Sequence, residues 1–587
     1  MDTVKSFKGY GKVDEAQDLA LKRKTRKRLF LVGISVVVLV GLFIGSVVAV
    51  VAHTRKNGSP NSKPGSVPEL TPASSLKSMC SVTRYPDSCV SSISKLSSSN
   101  TTDPKVLFRL SLKVVIDELS SIFDFPKKLT EETDDVGIKS ALRVCGEMFD
   151  DAMDDLNEAI SVTDVGDEKK ILNLGTIDDI KTWLSAVLAD HGTCFDALDE
   201  LSQFDIAYAN STISRNLKSA MKNSTEYTSI SLSIVARVLS PLSDLGIPIH
   251  GRRLLNSKFP NWVRPGVRRL LQRKHFRPDI TVAKDGSGDV KTINEAVGRI
   301  PDKSKTRFVI YVKSGTYMEN VLIDKNKWNV TIYGDGKDKT IISGSKYTTK
   351  TLSTFDTATL GVTGYGFILK DIGVKNTAGP ENHQAVALRS SSDHSVYYQC
   401  SFDGYQDTLY SHRKRQFYRN CDITGTVDFI FGMSTVVFQE CNIRPRQPLP
   451  NQFNAITAQG NDHWDVSTGI VIHRCTISAL GNVSVPTYLG RPWKNHSRTV
   501  VMESVIGPVV SAEGWKAWDA KSDPPQPTLR YGEYKNSGPG SDVTHRVKWV
   551  GYTPVMTDAE ARKLSVATFL DENRWMTKMQ VPYNPTL

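Results

Sequence analysis

The sequence predicts a multidomain chain: one N-terminal transmembrane helix, then an all-α antiparallel helical bundle, then a right-handed parallel β-helix, an all-β solenoid. Three observations carry that reading. Residues Leu29 to Ala52 are 24 consecutive uncharged, mostly Val, Leu, Ile and Gly positions. Apolar residues recur at helical spacing from about 76 to 238, and after residue 276 the texture changes to short β-rich runs that resemble one another at a period near 20. A length of 587 residues is too great for one hydrophobic core, and a 39% hydrophobic content fits folded domains.

From the N-terminus, residues 1–28 form a cytosolic basic segment and 29–52 a transmembrane signal anchor. At ~1.5 Å per residue the apolar run crosses a ~30 Å hydrocarbon layer. Lys22, Arg23, Lys24, Arg26, Lys27 and Arg28 precede it, and the positive-inside rule keeps that end in the cytosol, a type II topology. A cleaved signal peptide is the rival; its apolar run is usually shorter and ends at a small-residue cleavage site. Both readings send the remainder into the secretory pathway. All eight cysteines (Cys80, Cys89, Cys145, Cys194, Cys400, Cys421, Cys441, Cys475) lie beyond the apolar run, and none has metal-type spacing, so no metal site is expected. Sequons at Asn57, Asn100, Asn210, Asn223, Asn329, Asn482 and Asn495 also fall only on the translocated side.

The net charge of +12 invites a nucleic-acid reading until it is located. Leu21 to Arg28 holds six basic residues and Gly251 to His275 holds eight, with no acidic residue in either, which leaves −2 for everything else. No Walker or dinucleotide signature is present, and nucleic acid is excluded as a partner.

Residues 53–75 are rich in Ser, Pro, Gly and Lys and read as a flexible linker. In 76–238 the spacings Leu142, Cys145, Phe149, Ala152, Leu156, Ile160 and Ile177, Ile180, Leu184, Val187, Cys194, Leu198, Leu201 predict helices with one apolar face. Cys145 and Cys194 fall on the apolar faces of two successive helices, so a disulfide pinning them is expected, and Cys80 with Cys89 closes a small loop. Residues 239–275 are a basic linker in which Arg252-Arg253-Leu254-Leu255 is repeated as Arg268-Arg269-Leu270-Leu271, and two copies at a domain boundary read as two protease sites.

In 276–587 the runs SVYYQCSFDG, RQFYRNCDITG, VVFQECNIRP and IVIHRCTISA align on their cysteines, with Cys400, Cys421 and Cys441 spaced by 21 and 20 residues. A strand at the same phase of a ~20-residue repeat is what a solenoid produces when each turn stacks on the last; strands of a β-sandwich, the rival, would not repeat in phase. Asp407 follows Cys400 by seven residues and Asp428 follows Cys421 by seven, so the two carboxylates should stack on adjacent turns, ~4.8 Å apart. Charges at that distance repel by roughly 3 kcal/mol at an effective dielectric of ~20, enough to keep one protonated beside an ionised partner. That split suits acid plus nucleophile chemistry.

Around the aspartates lie YQDTLY (Tyr405 to Tyr410), VDFIFG (Val427 to Gly432), QAVALR (Gln384 to Arg389), GTYMEN (Gly315 to Asn320) and LGRPW (Leu489 to Trp493). At these five segments the sequence closely resembles the plant pectin methylesterases (pectinesterases), over essentially all of 276–587. Residues 76–238, with four cysteines, resemble the pectin methylesterase inhibitor domain, and the two RRLL copies look like that family's processing motifs. The resemblance implies that Asp428 is the nucleophile on the methyl ester of cell-wall pectin, Asp407 the proton donor and later base, and Gln384 and Gln406 the oxyanion donors. It further implies that Arg491 holds Asp428, that Trp493 stacks on a sugar ring, and that Thr354 and Gln384 contact substrate. It implies as partners methylesterified homogalacturonan, a processing protease and separate inhibitor proteins, with a monomeric mature enzyme in the cell wall. Gly315 and Tyr317 shape the fold. Cys421 and Cys441, on adjacent turns, are the preferred bridge here, leaving Cys400 and Cys475 free, with an insertion before Cys475.

No cofactor is implied, because acid, nucleophile and oxyanion donors are all side chains. A serine esterase is set aside because the chain has no G-x-S-x-G. Two alternatives stay open: a β-helix glycosidase, which also uses paired carboxylates, and a bundle that inhibits an esterase in trans.

Overall fold

The computed structural model describes residues 71–163, 173–241, 277–571, 574–579 and 581–587. The expected anchor at Leu29–Ala52, both RRLL copies, Asn57 and the side chain of Asn210 lie outside them. Among the described residues no helix is long and apolar enough to cross a membrane. Leu70–Leu587 forms one compact unit.

Its N-terminal part is helical: α1 (Pro72–Cys80), α2 (Pro86–Ile93), α3 (Pro104–Ile122), α4 (Phe125–Glu131), α5 (Val136–Ser161), α6 (Leu174–Asp199) and α7 (Thr212–Ile234). The long helices start where a polar side chain caps free backbone N–H groups: Asp103 accepts from Lys105, Asp135 from Gly137 and Ile138, Asn173 from Thr176, and Ser211 from Ser214. Leu142, Cys145, Phe149, Ala152 and Leu156 on α5 and Ile177, Ile180, Leu184, Val187, Cys194 and Leu198 on α6 are buried, the faces that the spacing predicts. Cys145, early in α5, is bonded to Cys194, late in α6, so this pair is antiparallel. Ser231 near the end of α7 donates to Ser111 in the first half of α3, which sets the second pair antiparallel as well. Cys80 and Cys89 join α1 to α2.

From Ile280 onward the chain winds into three parallel sheets of eleven, seven and eight strands, in which every pairing between named strands is parallel. This is a parallel β-helix. The seven-stranded sheet carries the site, and its strands stack in chain order: β1 (Val321–Ile323), β2 (Leu360–Val362), β3 (Leu388–Ser390), β4 (Leu409–Ser411), β5 (Ile430–Gly432), β6 (Asn454–Gln459) and β7 (Thr487–Gly490). A single residue with positive φ turns the corner between the other two sheets on successive coils: Asp371, Gln399, Asn420, Glu440, Arg474 and Glu503, with φ between 48° and 56°. Left-handed φ is uncommon for residues such as Glu and Arg, and its repetition at one phase marks a corner that the stacked sheets impose.

Behind those corners Cys400, Cys421, Cys441 and Cys475 form one buried ladder, beside the stacked rings of Tyr397, Tyr418 and Phe438. Cys475 keeps its phase, since Asn442 pairs with Thr476; the spacing of 34 from Cys441 is taken up by longer loops on either side of β6. The expected Cys421–Cys441 bridge is not formed, and all four thiols are free. In an in-register parallel stack the Cα–Cβ bonds run side by side at ~4.8 Å, whereas a disulfide needs its Cβ atoms converging to about 3.8 Å. Each Sγ instead meets a main-chain carbonyl, as Cys400 does at Leu369 and Cys475 at Phe438.

The bundle lies on the outer face of the seven-stranded sheet: Phe355, Val386, Tyr410, Phe431, Met433, Ala458 and Val466 belong to the same apolar cluster as the cores of α5 and α6. The solenoid has its own interior core, and a C-terminal segment with Trp575 and Met576 covers the eleven-stranded sheet. Of the sequons, Asn100, Asn223, Asn482 and Asn495 are exposed, while Asn329 donates its amide nitrogen to Ser304 in a half-buried corner.

The Cys145–Cys194 bond closes a loop of 49 residues, for which unfolded-chain entropy predicts a contribution of about 4 kcal/mol. Cys145→Ser with Cys194→Ser is expected to lower the urea midpoint of the helical circular-dichroism signal accordingly. An unchanged midpoint would assign bundle stability to packing alone.

Candidate active site

The repeat places the two aspartates as their spacing predicts. Leu409 of β4 pairs with Ile430 of β5, so Asp407 and Asp428, each two residues earlier, occupy equivalent corners of adjacent coils. Both have left-handed backbones, φ 62° and 52°, which Asp tolerates better than most residues. They are nearly buried, at 9% and 5% exposure. Burial, then the neighbouring Asp428 charge, pushes the Asp407 carboxyl well above the usual carboxylate range. Asp428 is instead gripped side-on by Arg491, whose Nε and Nη2 donate to its two oxygens at 2.8 and 2.6 Å. One carboxyl is therefore pushed toward its protonated form, while the other is paired with a guanidinium.

Gln384 and Gln406 lie on neighbouring coils in a parallel bridge, each just before its strand, at the same edge as the carboxylates. Thr354, Gln384, Gln406, Asp407, Asp428, Arg491 and Trp493 line one cavity of about 280 Å³, so the site residues expected from the sequence converge there. Trp493 meets Phe431 edge to face at 6.2 Å, beside the stacked Tyr410–Phe431 pair at 4.2 Å. Among the described residues no cluster of His, Cys, Asp or Glu suits a metal ion.

Several residues of the site were not singled out from the sequence. Tyr410 and Phe431 follow the two aspartates by three residues each, so the same phase argument would have found them. Trp518 lies under the Arg491 guanidinium at 4.0 Å and accepts from it through its carbonyl; Phe453 lies on it at 5.3 Å. Neither belongs to the repeat, because both sit in loops between coils.

The remaining wall comes from the bundle. Helix α6 continues into a 3-10 turn, Glu200–Gln203, that enters the cavity. There the Glu200 carboxyl accepts the Thr354 backbone N–H at 3.0 Å, and the Gln203 side-chain oxygen accepts from Gln384 Nε2 at 3.1 Å. Burial raises the Glu200 pKa to about 7, aided by Asp196 and Asp356.

Comparison with known proteins agrees with this geometry. A family model described as Pectinesterase matches residues 279–573, and one described as Plant invertase/pectin methylesterase inhibitor matches residues 74–234. The chain is 64% identical over 583 residues to Pectinesterase 1 of Arabidopsis thaliana, covering 98% of each. It is 52% identical over 598 residues to Pectinesterase 3 of Phaseolus vulgaris, covering 100% of each. Among solved structures, pectin methylesterase from carrot is 46% identical with a TM-score of 0.52, over 53% of this chain and 99% of the carrot chain. The chain belongs to the pectinesterase family, with an inhibitor-like helical domain joined ahead of its pectinesterase domain.

Proposed function

We propose that residues 276–587 hydrolyse the methyl esters of cell-wall homogalacturonan to pectate and methanol, and that residues 76–238 are a pro-region acting in cis. The observation that carries the catalytic reading is the unequal pair, an Asp407 carboxyl pushed toward its protonated form by burial and by its neighbour, beside an Asp428 carboxylate fixed by Arg491. The Asp428 carboxylate attacks the ester carbonyl carbon. The oxygen that gains charge is received by the amide N–H groups of Gln384 and Gln406, neutral donors that leave the nucleophile's charge unquenched. Collapse breaks the C–O bond to methoxide, which takes the Asp407 proton and leaves as methanol. Asp407, now ionised, removes a proton from water; the hydroxide adds to the acyl carbon, Asp428 departs as carboxylate, and the cycle closes with Asp407 protonated. An oxocarbenium-like centre would have no use for two amides aimed at an oxyanion, which disfavours the glycosidase alternative.

The cis reading rests on α6. Glu200 and Gln203 occupy hydrogen-bonding positions on Thr354 and Gln384 that substrate would need. Cleavage at Leu255 or Leu271 in the basic linker would release the bundle. The apolar run at Leu29–Ala52 and the cysteines and sequons beyond it support a type II anchored precursor and a wall-acting mature form.

Methanol release from highly methylated pectin tests the catalytic roles. Asp428→Ala is expected to cut it by roughly 10⁴-fold or more, and Gln406→Ala by roughly 10² to 10³ in kcat. Full release by Asp428→Ala would overturn the assignment.

Docking is expected to depend on pH. Glu200 has an ordinary pKa of 4.5 when released and about 7 when docked, so docking takes up a proton between those values. The groups facing it are Asp196, paired with Lys494; Asp356, paired with Arg143; and Asp407. Docking strength is therefore complete below about 4.5 and declines as pH rises toward about 7. The activity of the uncleaved chain relative to the cleaved chain should rise across that window, and Glu200→Gln should flatten the rise. A ratio independent of pH in the wild type would exclude Glu200 as the cause.

A further inference from the structure

The −2 left after the two basic segments are set aside conceals a separation of charge. Residues 71–241 contain 17 Lys and Arg against 26 Asp and Glu, a net charge of −9, while residues 276–587 contain 37 against 30, a net charge of +7. The opposite charges meet at the interface. Arg413, at the far end of β4 from Asp407, is 2% exposed, and its guanidinium pairs with Asp151, with Asp155 at 2.9 Å and with Asp190 at 2.8 Å, all from the bundle. Lys414 reaches Asp155 at 2.6 Å. Arg415 pairs with Asp179 of α6 at 2.8 Å and with Asp393 of the preceding coil at 2.6 Å, and Arg574 also holds Asp179. Lys494, next to Trp493, pairs with Asp196 at 2.6 Å.

Two of these carboxylates, Asp151 and Asp155, lie on α5, and the other three bundle carboxylates lie along α6. Along α6 the carboxylates of Asp179, Asp190 and Asp196 touch Arg415 with Arg574, then Arg413, then Lys494, and Glu200 then enters the catalytic cavity. At ~1.5 Å per residue that line is about 32 Å long. An extended row of carboxylates, running over cations and ending at the catalytic aspartates, is also the shape of the reaction's product, a de-esterified uronate chain. Once the bundle leaves, Arg413, Lys414 and Lys494 lose the ion pairs that α5 and α6 supply and face water.

We propose that Arg574, Arg415, Arg413, Lys414 and Lys494 form a track that binds the carboxylates of de-esterified homogalacturonan, and that the carboxylates of α6, with Asp151 and Asp155 of α5, occupy this track as a stand-in for the polymer. The inference rests on the pectinesterase reading. It gives the enzyme a hold on the part of the chain it has already converted, up to ~20 Å from the carboxylates, since Arg413 lies six residues along an extended coil from Asp407.

The test uses residues 277–587, which have their own core and align with almost the whole of the free-standing carrot enzyme. Binding of fully de-esterified polygalacturonate is measured by calorimetry at 50 and 200 mM NaCl, for the wild type and for Arg413→Gln/Lys414→Gln. Among the described residues neither side chain forms an ion pair with a carboxylate of the β-helix, so the thermal midpoint should be nearly unchanged; if the double variant unfolds, Lys414→Gln alone is read in the same way with a smaller loss. The wild type should bind polygalacturonate with an affinity that falls steeply with salt, and the variant should be about tenfold weaker at low salt, with a shallower salt dependence. Fully methylated pectin, titrated with both proteins carrying Asp428→Ala so that it is not hydrolysed during the measurement, should be bound equally by both. Equal affinity for polygalacturonate, or an equal loss on methylated pectin, would overturn the proposal. Failure of the esterase reading would show separately, as absence of methanol release by the wild type.

Discussion

Each coil of the solenoid stacks in register on the one before, so whatever occupies one phase of the repeat sits about 4.8 Å from its counterpart. For most positions that is favourable: rings stack on rings at Tyr397, Tyr418 and Phe438, and thiols stack on thiols from Cys400 to Cys475. For two carboxylates it is not. Asp407 and Asp428 accept a repulsion of roughly 3 kcal/mol, and the surroundings resolve it asymmetrically. Arg491 compensates one, and burial beside it pushes the other toward its protonated form. The same register that builds the core thus sets two unlike carboxyls side by side.

This constraint also explains what was legible in the sequence. A fixed phase can be read from spacing, so the helical and solenoid parts and the stacking of Asp407 on Asp428 were accessible, as were the buried faces of α5 and α6. The disulfide reading at Cys421 and Cys441 failed because adjacency in a stack is not convergence: parallel Cβ vectors hold the sulfurs alongside rather than toward each other. Trp518 and Phe453 were hidden because loops between coils have no phase. Glu200 and Gln203 were hidden for a stronger reason, since they reach the cavity only through docking of a second domain, which no periodicity within either part reports.

Charge was legible in sum and misleading in sum. A near-neutral total for the folded parts argued against nucleic acid as a partner, yet it arises from −9 on one part and +7 on the other. Asp155 and Asp190 interrupt otherwise apolar helix faces, and they are buried because they meet Arg413. Read along one helix, they look like defects in an amphipathic pattern.

The choice of buried ions at this interface follows from what it has to do. Buried ion pairs add little net stability compared with well-packed apolar residues, because desolvation offsets most of the attraction. An apolar interface of the same extent would hold the parts together more firmly, and on separation it would leave two sticky surfaces. Around Arg413, Lys414 and Lys494 separation leaves instead hydrated cations on one part and hydrated carboxylates on the other, so both can remain soluble apart. The apolar contacts are concentrated on the sheet face at Phe355, Tyr410, Phe431 and Met433, and a half-buried Trp493 lies beside them. A surface divided in this way, with rings on the face where sugar would lie and cations at its edge, is suited both to being covered by α6 and to being used after it leaves.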